Sequence, residues 1–71
     1  MTILYLRADH ITLAQALKAS GLAESGGRAK YLVRTGNAMV NGTVEIQPGR
    51  KLVVGDRFGT LGSPEWTVSR E

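Results

Sequence analysis

The sequence predicts an α+β fold in which two packed helices lie on a small, mostly antiparallel sheet. Apolar residues recur at helical spacing in two runs between Thr12 and Thr35. Each run stops at a glycine, Gly21 or Gly36, the residue that best takes the left-handed position after a helix. Beyond Gly36 the spacing shortens to that of strands around Asn41-Gly42, a dipeptide that tolerates the two positive φ angles of a type I′ hairpin.

Residues Thr2 to Leu6 are β-branched, aromatic or aliphatic and give way to the polar cluster Arg7 to His10, so a short strand running into a loop is expected. Thr12 is placed to cap the first helix, expected over Leu13 to Ser20, and Gln15 three residues on completes a capping box. Ser25 caps a second helix reaching Thr35, in which Ala29, Leu32 and Val33 form the stripe that packs on the first. At about 100° per residue, Lys30, Tyr31 and Arg34 fall opposite that stripe, with Arg28 on its flank.

Ala38-Met39-Val40 and Thr43-Val44-Glu45 are the arms of the hairpin, Pro48-Gly49 is a turn, and Lys51 to Val54 reads as a strand. Gly55-Asp56 turns the chain into a short strand at Arg57-Phe58. Gly59 to Pro64 is a loop, and Glu65 to Val68 alternates as a closing strand that, with the N-terminal one, completes the sheet. Phe58 and Trp66 alternate with apolar neighbours and belong to the core.

Seventy-one residues accommodate one domain, expected over 1–71 and near the lower limit at which a single core holds. With 42% hydrophobic and 21% charged residues the composition is that of a folded chain, and without cysteine its stability has to come from packing. The N-terminal apolar run is too short for a signal segment, and no stretch approaches the roughly 20 apolar residues of a membrane span, so a cytoplasmic location and no membrane partner are expected.

The net charge of +3 is unevenly spread, since Arg28, Lys30, Arg34, Arg50, Lys51 and Arg57 face only Glu45 and Asp56 in that half of the chain. Such a local excess favours a polyanion. Ser25-Gly26-Gly27 opens a helix whose first N–H groups lack intrahelical partners, an arrangement suited to phosphate. Lys30 and Arg34, one turn apart, can reach successive phosphates, and Tyr31 between them offers a ring to an unpaired base. Arg50 and Lys51, beside the Pro48-Gly49 turn, add a second contact, while Lys18 is the weakest candidate. Each feature also has a plainer reading: glycines for close packing, cations as a solvated face.

Catalysis is not expected. His10 is the only histidine and has no second ligand for a metal, the acids lack paired spacing, and neither a nucleophile elbow nor a phosphate-binding glycine loop occurs. No cofactor and no small-molecule substrate are implied.

From Thr12 to Phe58 the chain resembles the S-four (S4) RNA-binding domain, or αL motif, on the segments LAQALKASGLAESGGRAKYLVRTGNAMVNG and QPGRKLVVGD. The resemblance implies two antiparallel helices on a small sheet, with the second helix and the neighbouring hairpin and loop holding structured RNA. It singles out Ser25, Lys30, Asn41, Gly42, Arg50 and Lys51, with Asn41 and Gly42 serving shape. Many members of that family carry an arginine directly after the serine, where this chain has Gly26, and Arg28 or the glycine amides are expected to compensate. The SGG variant with GRKLVVGD is most similar to short stand-alone bacterial members, some linked to the ribosome or its RNA.

The expected function is therefore non-catalytic binding of structured, ribosomal or tRNA-like RNA, with a monomer favoured but the oligomeric state left open, through Ser25, Gly26, Gly27, Arg28, Lys30, Tyr31, Arg34, Arg50 and Lys51. Two rivals use the same fold: an adaptor docking a protein partner on an apolar edge of Leu61, Trp66 and Val68, and a module that binds DNA.

Overall fold

The computed structural model describes residues 2–71. Strands β1 (Thr2–Leu6) and β2 (Ile11–Thr12) lead into helix α1 (Leu13–Ala19), and α2 (Gly26–Arg34) follows. The remaining strands are β3 (Ala38–Val40), β4 (Thr43–Val44), β5 (Lys51–Leu52), β6 (Arg57–Thr60) and β7 (Trp66–Arg70).

Both helices begin as their caps require. The Thr12 hydroxyl accepts the Gln15 N–H at 3.2 Å while the Gln15 side chain accepts the Thr12 N–H at 3.1 Å, so the capping box is complete. The Ser25 hydroxyl accepts the Arg28 N–H at 3.1 Å. The second helix ends in a Schellman motif: Gly36 has φ +79°, its N–H reaches the Val33 carbonyl, and the Asn37 N–H reaches that of Leu32. Each helix is one residue shorter than expected, because Ser20 and Thr35 are the C-caps.

A five-stranded sheet runs β1-β7-β6-β3-β4, antiparallel throughout except for the terminal strands, which pair in parallel with Leu4 beside Val68. A separate pair joins β2 and β5. Leu13 and Leu17 of α1, Val33 of α2, Leu52 of β5, Phe58 of β6 and Val68 of β7 are all buried together, each less than 2% exposed. At about 25 cal/mol per Å² such burial is the main stabilising term. Trp66 packs against this core, its ring stacked on Phe58 at 6.3 Å between centroids.

Several strand bounds differ from those expected. Lys51 to Val54 forms a strand only at Lys51–Leu52, because the Asp56 carboxylate accepts the Val53 N–H at 2.9 Å and the Asp56 N–H reaches the Val53 carbonyl; this closes a turn that leaves Val53 and Val54 exposed. Ile11–Thr12, where only the helix cap Thr12 is expected, is also a strand that pairs with Lys51–Leu52. Gly59 and Thr60 lie within β6 rather than in a loop, and Gly59 sits opposite Met39 with the Pro64 carbonyl 3.5 Å from where a Cβ would stand. Glycine argues locally against a strand, but here it admits the backbone of the following loop. The hairpin arm stops at Val44 rather than Glu45, and the closing strand is shifted to Trp66–Arg70.

Asn41 does more than shape its turn. With φ +51° beside Gly42 at +82° it occupies the expected hairpin position. Its side-chain oxygen also accepts the Arg57 N–H at 2.8 Å, and its amide donates to Asp56 at 3.1 Å. Asn41→Gly keeps the turn geometry and removes both bonds, so it is expected to cost about 1–3 kcal/mol in urea denaturation. Loss of less than about 0.5 kcal/mol would mean that the turn alone matters.

Candidate nucleic-acid interface

Helix α1 starts with amides that need acceptors, and the 47–50 turn supplies two of them. The Leu13 N–H donates to the Arg50 carbonyl at 2.8 Å and the Ala14 N–H to that of Pro48 at 3.1 Å, while the Arg50 N–H closes the turn on the Gln47 carbonyl. The pairing of Thr12 with Lys51 continues the contact. The basic turn is thus held against the helices and does not project from the sheet.

Between this turn, α1 and the start of α2 lies an open groove of about 460 Å³. Lys18 and Lys30 both line it, together with Gly26 and Gly49. Lys18 therefore shares a groove with Lys30, although in sequence it stands alone near the end of a short helix; only the packing of α1 on α2 brings the two to one groove.

The exposed face of α2 divides in two. Lys30 and Arg34 lie roughly 40° apart about the helix axis, whereas Arg28 lies roughly 120° beyond Arg34, on the other side of Tyr31. Tyr31 is 56% exposed. The Arg28 guanidinium sits 5.2 Å from its ring centre, a cation–π contact, and Arg28 lines a second hollow with Glu24, Leu32 and Leu61. The Arg28 amide is taken by the Ser25 hydroxyl, so among the described residues the amides without a protein acceptor at this helix start are those of Gly26 and Gly27.

Acidic neighbours decide which cations are available. Arg50 donates to Glu45 at 2.6 Å, and this hydrogen bond, which outweighs the opposing effect of burial, holds the Glu45 carboxyl below its ordinary value of 4.5; the Gln47 N–H assists. Arg57 lies 3.9 Å from Glu65. Lys18, Arg28, Lys30, Arg34 and Lys51 have no acidic partner within 4.0 Å among the described residues. Arg50, expected as a free contact, is thus tied to a carboxylate. The apolar edge of the adaptor reading is not assembled, because Val68 is buried and Trp66 is stacked on Phe58, leaving Leu61 as its exposed member.

Comparison with known proteins adds three findings. A family model described as S4 domain matches residues 4–64. The chain is 44% identical over 48 residues to the Bacillus subtilis (strain 168) protein named "Probable ribosome maturation protein RlbA", covering 68% of each chain. It is 36% identical over 53 residues to the Escherichia coli (strain K12) protein named "Putative RNA-binding protein YbcJ", covering 75% of this chain and 76% of that one.

The Glu45–Arg50 pair makes a pH-dependent contribution. Because the folded carboxyl is shifted down, its stabilisation is fully present above pH 4.5 and disappears as pH falls through the lowered folded value. The urea midpoint of the parent protein is expected to exceed that of Glu45→Gln at pH 7, and the gap to close well below pH 4.5. A gap that persisted under acid would assign the effect to packing.

Proposed function

The chain belongs to the S4 domain family, and from that premise we propose that it binds structured RNA, ribosomal RNA first, without catalysing a reaction on it. The observation that carries this reading is the convergence on one groove of Lys18 from α1, Lys30 from α2 and the turn that precedes Lys51. Arg34 extends the same flank by one helical turn. Among the described residues, four cations without acidic partners on neighbouring elements match a ribose-phosphate backbone better than they match a protein surface of mixed charge.

The roles follow from the chemistry. Lys18, Lys30, Arg34 and Lys51 neutralise phosphates, and the free Gly26 and Gly27 amides donate to one where the missing arginine of the family pattern would otherwise reach. Tyr31, braced by Arg28, presents its ring to an unpaired base at the crest of the helix. None of these groups reads a paired base edge, so recognition is of RNA shape more than sequence. The names of the two relatives, one for ribosome maturation and one for RNA binding, support the choice of polymer and a cytoplasmic place of action.

With about four phosphates neutralised, log affinity for a structured RNA is expected to fall with log salt at a slope near −3 to −4. Lys30→Ala with Arg34→Ala is expected to bring the slope toward about −2 and weaken binding at every salt concentration. Arg28→Ala, on the other flank, is expected to weaken binding while leaving the slope essentially unchanged. A salt-independent affinity, or duplex DNA competing as well as structured RNA, would overturn the proposal.

A further inference from the structure

The groove between the helices and the 47–50 turn contains more than charge. Its lining is mostly apolar and includes Ala14, the half-buried Pro48, Gly26 and Gly49. Lys18 and Lys30 both line the groove, one from each helix. At about 460 Å³ it falls within the roughly 300–1,000 Å³ of clefts that take a small organic group.

Gln15 gives this groove a fixed polar group. Its side-chain oxygen is held by the Thr12 N–H at 3.1 Å, which orients the amide, and its NH₂ group has no acceptor among the described residues. A glutamine on a helix surface is ordinarily free to rotate, but here the capping box restrains it, and the residue lines the groove. One wall thus offers an oriented neutral donor with Lys18 one turn further along the same helix.

Resting on the RNA-binding reading above, we propose that this groove holds a single unpaired nucleotide turned out of the bound RNA. The phosphate is clamped between Lys18 and Lys30, the base or sugar lies on the Pro48 and Ala14 surface, and the Gln15 amide donates to an acceptor on the base edge. A base within a duplex is stacked on both faces and cannot enter a cleft of this size. The groove therefore selects RNA with a bulge or junction over continuous helix, and so supplies the shape preference that the phosphate contacts alone lack.

Fluorescence anisotropy tests this with two hairpin RNAs that differ only in a one-nucleotide bulge, made with each of the four bases, and with AMP and UMP as free nucleotides. The parent protein is expected to prefer the better bulged hairpins by about tenfold, ~1.4 kcal/mol. Lys18→Ala is expected to reduce that preference to about twofold or less while the fully paired hairpin loses less, because its phosphates also meet Arg34 and Lys51. Gln15→Glu retains an oxygen for the Thr12 N–H and so keeps the helix start, but it removes the donor and sets a carboxylate one turn from Lys18; both hairpins are expected to bind more weakly and the preference to fall in the same way, with circular dichroism unchanged.

Equal binding of paired and bulged hairpins by the parent protein would overturn the nucleotide site and leave the RNA-binding reading standing. Absence of binding to either hairpin would overturn both. AMP or UMP binding as tightly as the bulged hairpin would assign the groove to free nucleotides, and a penta-glutamate peptide displacing the bulged hairpin at equal concentration would assign it to an acidic protein segment; either result overturns the proposal.

Discussion

The arrangement of this protein depends on how the first amides of α1 find their acceptors. A helix start exposes N–H groups that cannot be satisfied within the helix, and leaving them buried would cost on the order of 1–3 kcal/mol each. Thr12 takes one of them, and the carbonyls of Pro48 and Arg50 take two more from far along the chain. The result is a clamp between a helix end and a turn. It starts the short β2–β5 pair, sets Leu52 into the core, and turns a basic loop into one wall of the groove.

Charge is then sorted by local pairing. Arg50 sits at the centre of the clamp but spends its charge on Glu45, so its part is to hold the turn in shape while its carbonyl receives α1. Lys18, Lys30, Arg34 and Lys51 remain available because no carboxylate lies close to them among the described residues. An exposed ion pair is worth little to stability. Its consequence here concerns binding: a cation already paired has less to gain from a phosphate than one that is not.

The two flanks of α2 divide the labour in a way the helix geometry imposes. A spacing of four residues keeps Lys30, which lines the groove, and Arg34 on one flank of the helix, while a spacing of two places Arg28 across the helix from Lys30. Arg28 meets Tyr31 instead and lines a different hollow. The serine cap takes the Arg28 amide, so among the described residues the amides left without a protein acceptor at the helix start are those of the two glycines. Residues adjacent in sequence thus face different parts of the surface.

What the sequence by itself determined are the features closed within a few residues. The Thr12 capping box, the Ser25 cap, the glycine stop at Gly36 and the Asn41-Gly42 hairpin all depend on contacts between neighbours, so their signatures survive without the fold. Lys30 and Arg34 were legible for the same reason, since helical spacing alone sets them side by side. Tertiary structure decided the remainder. Val53 and Val54 have the composition of a strand, yet the Asp56 side chain turns the chain away; Gly59 looks like a loop, yet Met39 pairs with it. Lys18 entered the site through the packing of two helices, and Arg50 left it through a carboxylate five residues away whose approach depends on the fold of the intervening turn. In each case the deciding partner acts through space, and spacing along the chain carries no record of it.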